Sequence, residues 1–293
     1  MIELNSADAR ASIAPLGAEL RTWRAGKRDL IWKPDPAIWN ATAPLLFPIV
    51  GWARDGAIRV GDQRYAIGVH GFAAASLFTV ETQRSDEVTL VLRDDARTSG
   101  HYPFNFCLRI TYRLSRTALR IDLEIANTGE AIMPYACGLH PGFRWPFADG
   151  DPQGYLIRFA EAEVPEVPVI APGGLFSARR RAIPLHGRDL PLKAELFATE
   201  ALCFLDANSP SLAFIAPDGE RLSIATEGFP HWALWARPGA PFLSIESWSG
   251  HGDPEGFEGE LADKPSMILL QSGEAGRHAA TYAWHPAPEG APY

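Results

Sequence analysis

The chain predicts an all-β fold, a large antiparallel β-sandwich with few short helices. Three observations carry this. Apolar and polar residues alternate with period two: Phe106, Leu108, Ile110, Tyr112 and Leu114 oppose Cys107, Arg109, Thr111 and Arg113, and Leu119, Ile121, Leu123 and Ile125 oppose Arg120, Asp122 and Glu124. Successive strand side chains point to opposite faces, so such runs are half-buried antiparallel strands. Twenty-six glycines and twenty-five prolines punctuate the whole length and suit many short strands joined by loops. Helical periodicity is scarce, with no strong amphipathic helix longer than two turns.

In chain order, strands are expected at 11–14, 19–24, 58–60, 77–83, 88–93, 106–114, 119–125, 134–140, 155–159, 202–205, 211–215, 221–225, 232–236, 242–248 and 277–284. Turn residues separate them: Arg54-Asp55-Gly56, Asn127-Thr128-Gly129, Pro172-Gly173-Gly174, Pro217-Asp218-Gly219 and Arg237-Pro238-Gly239. Residues 193–199 are the best short helix candidate. The basic run Arg179-Arg180-Arg181 reads as a solvated loop. No repeat, low-complexity run or linker divides the chain, so 1–293 is read as one domain, with 286–293 a frayed tail.

Composition narrows the function. A net charge of −8 and a pI near 5.5 argue against nucleic acid, whose phosphates require a basic face. Cys107, Cys137 and Cys203 are odd in number and widely spaced, as free buried thiols in a reducing compartment would be. The opening residues MIELNSADAR carry no apolar h-region, so no signal peptide is expected. The longest apolar stretch, Ala41 to Ala53, is too short for a membrane span. The expectation is a soluble cytoplasmic protein, monomer or homodimer.

Three segments gather the chemistry: Val69-His70-Gly71-Phe72, Gly138-Leu139-His140-Pro141-Gly142-Phe143 and Ile245-Glu246-Ser247-Trp248-Ser249-Gly250. In a strand over 242–248, Phe242, Ser244, Glu246 and Trp248 share a face, so a carboxylate lies beside an indole that can stack on a sugar. In a strand over 134–140, Pro134, Ala136, Gly138 and His140 share a face. Small residues there leave room for a ligand beside a histidine, and Pro141-Gly142 ends the strand. Histidine gives or takes a proton near neutral pH. Arg54 adds a fork of donors suited to hydroxyls. His251 and Asp253 follow Glu246 without metal-site spacing, and no nucleophile elbow, dinucleotide loop or phosphate loop is present. Two histidines and a carboxylate on an all-β chain suit acid–base chemistry on a neutral sugar.

Taken together, Ile13-Ala-Pro-Leu-Gly-Ala-Glu-Leu20, Pro44-Leu-Leu-Phe-Pro-Ile-Val-Gly51, His70-Gly-Phe72, Tyr102-Pro-Phe-Asn-Phe106, Gly138-Leu-His-Pro-Gly-Phe143 and Ile245-Glu-Ser-Trp-Ser-Gly250 resemble the aldose 1-epimerase (galactose mutarotase-like) family, specifically its bacterial branch. The resemblance covers most of the chain. It implies an antiparallel β-supersandwich that interconverts α and β anomers of an aldose without cofactor. It casts Glu246 as general base, His140 as general acid and His70 as a substrate-holding residue. Where many relatives have an arginine after the glycine of the FPxxG motif, this chain has Trp52, with Arg54 two residues on taken as its replacement. Ala74 stands where an arginine often follows the HGFA motif. Glu200, in Leu196-Phe-Ala-Thr-Glu-Ala201, stands for the family's substrate-binding aspartate, and Trp248 completes the substrate-binding set. A protonated His140 and an ionised Glu246 would give a bell-shaped pH profile with a limb in the histidine range. Three other readings remain: a hexose-6-phosphate 1-epimerase using the arginines at 179–181, a non-catalytic carbohydrate-binding module, and a glycosidase pairing Glu246 with Glu200 or Asp206.

Overall fold

The computed structural model describes residues 1–149 and 151–288. Of the tail expected at 286–293, residues 289–293 lie outside the described residues, and 286–288 follow the last strand without regular structure.

Period-two alternation becomes burial on one face. Along Ala118–Asn127 every second residue is buried, and Phe106–Leu114 pairs antiparallel with it from Phe106 opposite Asn127 to Leu114 opposite Leu119. These two strands sit inside a nine-stranded antiparallel sheet. Its order runs Asp189–Pro191, Leu156–Phe159, Ser211–Ile215, Arg221–Glu227, Ala275–His285, Ala118–Asn127, Phe106–Leu114, Glu87–Arg93, Thr79–Gln83. Its solvent face carries ion pairs such as Arg109–Glu81 and Arg120–Glu227. A four-stranded sheet, Ile2–Ser6 through Arg28–Asp29, packs beside it.

A six-stranded sheet is built from Leu202–Phe204, His231–Trp235, Phe242–Trp248, Gly138–Leu139 and Leu45–Leu46, with Gly142–Arg144 also paired to Phe242–Trp248. One face of it joins the main core: Leu139, Leu202, Phe204, Trp232, Leu234, Leu243 and Ile245 belong to a single apolar cluster that runs from Ile2 to Tyr282. The other face carries a second cluster of Leu46, Val50, Ala136, Phe176, Cys203, Ala233 and Trp248. That second face holds the histidines and the carboxylate singled out above. All three cysteines are buried and unpaired.

Three expectations need correction. The strand expected at 134–140 is broken in two, Met133–Tyr135 pairing with Ile268–Leu270 and Gly138–Leu139 joining the six-stranded sheet. Pro141-Gly142 does not end it either, since Gly142–Arg144 continues along the same partner strand. The run Arg179-Arg180-Arg181 is not a loop: it lies in the strand Leu175–Ala182, hairpinned onto Glu166–Ala171. Three consecutive cations hide the alternation, while the Gly173-Gly174 turn, both residues at positive φ, makes the hairpin. The helix candidate at 193–199 is a single 3₁₀ turn, Ala194–Phe197, and the α-helix at Ala96–Ser99 was not anticipated; it is capped by the Asp95 side chain.

Candidate active site

The site is set by strand register. Gly138 lies opposite Trp248, Leu139 opposite Ser247 and Gly142 opposite Ser244. Continuing that register across the gap puts His140 opposite Glu246 and Pro141 opposite Ile245, and the Ile245 N–H donates to the Pro141 carbonyl at 3.2 Å. Side chains directly opposite on one face meet. His140 Nε2 accordingly lies 3.3 Å from Glu246 Oε1. On the far side of Glu246 stands Ala233, with Cys203 beyond it, small neighbours that leave the carboxylate unobstructed.

Both groups are withdrawn from water: Glu246 is 2% and His140 9% exposed. Burial penalises the charged forms, raising the Glu246 carboxyl well above its usual range and lowering His140 to about 3, with the neighbouring His70 adding to the effect. The Trp248 indole N–H donates to Glu246 Oε2 at 3.0 Å and pulls in the opposite direction. Oε1 is thus left to His140 and to a ligand.

His70 is placed by backbone geometry. It has φ 63°, its N–H donates to the Gly51 carbonyl at 2.9 Å, and the Gly51 N–H donates to His70 Nδ1 at 3.1 Å. A nitrogen that accepts carries no proton, so neutral His70 is protonated on Nε2 and is a donor there. Burial lowers its pKa to about 4, holding it neutral. Gly51 itself has φ 74°, and a Cβ there would come within 2.7 Å of Gly252 Cα, so the motif requires glycine. The His70 ring meets His140 edge to face, with centroids 5.6 Å apart.

The remaining walls are aromatic. Trp39 lies tilted 33° against the His140 ring at 5.2 Å, stacks on Phe242 at 5.0 Å and meets Trp235 at 5.4 Å. Trp235 also abuts His140, edge-on at 5.7 Å. The loop carrying Trp39 is tied down where Glu19 Oε1 accepts from the N–H groups of Thr42 and Ala43.

His70, His140, Glu246 and Trp248 therefore converge. Trp248 is 5% exposed and contributes an N–H to the carboxylate within the second apolar cluster. Arg54 pairs with Glu258 at 3.3 Å and lines a surface cavity of about 720 Å³ with Trp52, Gly174 and Glu255. Glu200 is occupied on both oxygens, by Arg181 at 2.7 Å and the Ile170 N–H at 2.8 Å. Sequence reasoning missed Trp39 and Trp235. Trp235 shares its strand face with Ala233 and His231, which alternation could have shown; Trp39 lies in an irregular loop and left no signal.

An all-β sandwich that buries a histidine–carboxylate pair against an aromatic wall, with a second histidine as donor, is the class of protein defined so far. The chain belongs to the aldose 1-epimerase family, whose model matches residues 1–176. It is 31% identical over 281 residues to the chromosomal LacX protein of Lactococcus lactis subsp. lactis, covering 92% of this chain and 94% of that one. The crystal structure of a galactose mutarotase-like protein from Lactobacillus casei superposes with TM-score 0.90 at 25% identity, covering 97% of this chain and all of the other. A galactose mutarotase related enzyme from Lactobacillus acidophilus shares the fold with TM-score 0.88 at 23% identity, covering 99% of each chain.

Proposed function

We propose that this protein interconverts the α and β anomers of a neutral aldose, with His140 and Glu246 exchanging protons with the sugar. The observation that carries the reading is the buried Nε2–Oε1 pair at 3.3 Å. Neither group is stable as a lone charge there, so Nε2 and Oε1 hold one proton between them, in addition to the one on the other ring nitrogen, and the pair is neutral as a unit. With that proton on Nε2, Glu246 is the base and His140 the acid. Glu246 takes the anomeric hydroxyl proton as His140 protonates the ring oxygen. The C1–O5 bond breaks and an aldehyde forms. Rotation about C1–C2 and reclosure on the other face reverse both transfers. The pair carries one proton before and after ring opening, on Nε2 first and on Oε1 afterwards, so no net charge is created in the buried site.

His70 Nε2–H supplies a donor to the sugar, and Trp39 and Trp235 supply apolar faces for its C–H surface. The phosphate-sugar alternative draws less support, because Arg181 is taken by Glu200 and Arg180 lies 3.8 Å from Glu166. NMR exchange between anomers of glucose and galactose, with and without their 6-phosphates, tests the reading. Wild type should accelerate exchange of the free sugars, and Glu246→Gln should lose about 10²- to 10⁴-fold. Exchange at the buffer rate with every sugar would overturn it.

A further inference from the structure

We propose that Ser244 is the positioning residue that keeps a proton on His140 Nδ1 and so dedicates Nε2 to proton exchange with Glu246 and the sugar. The inference rests on the acid–base reading above and goes one layer deeper into the same site.

Ser244 shares the strand face of Glu246 and is fully buried. Its Oγ lies 2.8 Å from His140 Nδ1 and 3.1 Å from the Pro141 carbonyl oxygen. The hydroxyl has one proton to give. Given to Nδ1, it leaves the Pro141 contact without a hydrogen. Given to Pro141, it leaves Oγ free to accept from Nδ1–H, and both contacts are hydrogen bonds. Only the second arrangement satisfies the geometry, and it places the proton on Nδ1. Each bond in the chain Nδ1–H to Oγ–H to the carbonyl polarises the next.

The chemistry demands the same arrangement. When Nε2–H breaks as the ring oxygen gains its proton, an imidazole without a proton on Nδ1 would be left as an imidazolate anion, a charge that the buried site does not solvate. With Nδ1 protonated throughout, donation from Nε2 returns neutral imidazole, whose Nε2 lone pair takes the proton back from the sugar hydroxyl as the ring recloses. The main chain makes this possible, since Pro141 follows His140 and presents its carbonyl both to Ser244 Oγ and to the Ile245 N–H, between the two paired stretches of these strands.

The experiment is nitrogen-15 NMR of histidine-labelled protein, with the His140 resonances assigned by their loss in His140→Gln, combined with anomer-exchange kinetics. In wild type at neutral pH, Nδ1 of His140 should show a protonated, pyrrole-type shift. In Ser244→Ala the proton should move toward Nε2, and kcat should fall about 10- to 100-fold, part of the roughly 10²- to 10⁴-fold a general acid contributes, with KM held within about twofold. Ser244→Thr should restore both the shift and kcat. A pyridine-type Nδ1 in wild type would overturn the proposal, as would Ser244→Ala with unchanged shift and kcat. Should Ser244→Ala not fold, the wild-type spectrum and Ser244→Thr still decide. The spectrum is read without turnover, so a protonated Nδ1 in a protein that leaves anomers at the buffer rate would sink the proposed function and not the hydrogen-bond assignment.

Discussion

Replacing Lys264 by methionine should destabilise the protein far more than a surface charge would, because its ammonium is buried against one carboxylate. Lys264 and Asp253 are 3% and 5% exposed, and Nζ lies 3.0 Å from Oδ1. The other oxygen of Asp253 accepts the Arg54 N–H at 2.8 Å. Methionine fills the volume of the lysine stem but leaves the carboxylate in the interior with a single N–H donor. Removing one partner of a buried ion pair costs about 3–5 kcal/mol. At roughly 2–4 °C per kcal/mol for a large domain, Tm should fall by about 6–20 °C. The companion Lys264→Met/Asp253→Asn removes the stranded charge while the asparagine oxygen still accepts from Arg54, so most of the loss should return. Urea unfolding of the three proteins at one pH, fitted with a common m, measures both differences. A single variant within about 1 kcal/mol of wild type, or a double variant no better than the single, would refute the reasoning. The pair also matters to the site, since the segment it anchors places Gly252 against Gly51, the residue that orients His70.

Three further outcomes follow from the same geometry. The acid limb of the pH–rate profile should lie below the usual histidine range: burial lowers His140 to about 3, so a second proton enters the pair only in acid, while burial raises the Glu246 carboxyl well above ordinary carboxylates and keeps the pair's proton from leaving in the ordinary carboxylate range. A fall in kcat as the pH drops through about 6.5 would contradict this and restore the histidine limb expected from sequence. Glu200→Gln should leave anomer exchange at the wild-type rate and lower stability by about 1 kcal/mol or less, because its Arg181 partner is partly solvated; a tenfold rise in KM would make Glu200 a substrate ligand after all. Trp39→Ala should raise KM about 5- to 30-fold, the equivalent of about 1–2 kcal/mol of lost aromatic contact, with kcat little changed. An unaltered KM would remove Trp39 from the binding wall.

What the sequence made legible was whatever depends on period two. The alternation at 106–114 and 119–125 reappears as two strands paired along their whole length, and the shared face of Ser244, Glu246 and Trp248 reappears as the floor of the site. Signals of other kinds were lost. In the hairpin of Glu166–Ala171 and Leu175–Ala182, the first strand is a continuous apolar run after Glu166 and the second carries three arginines in a row, so neither alternates. Arg54 and Glu200 were placed by analogy with motif positions, and the fold gives each a local partner, Glu258 and Arg181, that no spacing reveals. Trp39 reaches His140 from a loop whose path is fixed by Glu19, twenty residues away in sequence, through backbone hydrogen bonds to Thr42 and Ala43.

The proton inventory of the site was the least legible part, and the reason is physical. Residue types indicate which groups can titrate, whereas occupancy depends on desolvation and on the second hydrogen bond each group makes. His70 and His140 are the same residue in similar glycine-flanked motifs. In one, Nδ1 accepts from the Gly51 N–H, which leaves Nε2 as a fixed donor. In the other, Nδ1 faces a serine hydroxyl already directed at a carbonyl, which leaves Nε2 free to exchange. One backbone N–H and one hydroxyl thus set two imidazoles, 5.6 Å apart, in different tautomers, as the proposed roles of substrate donor and proton carrier require.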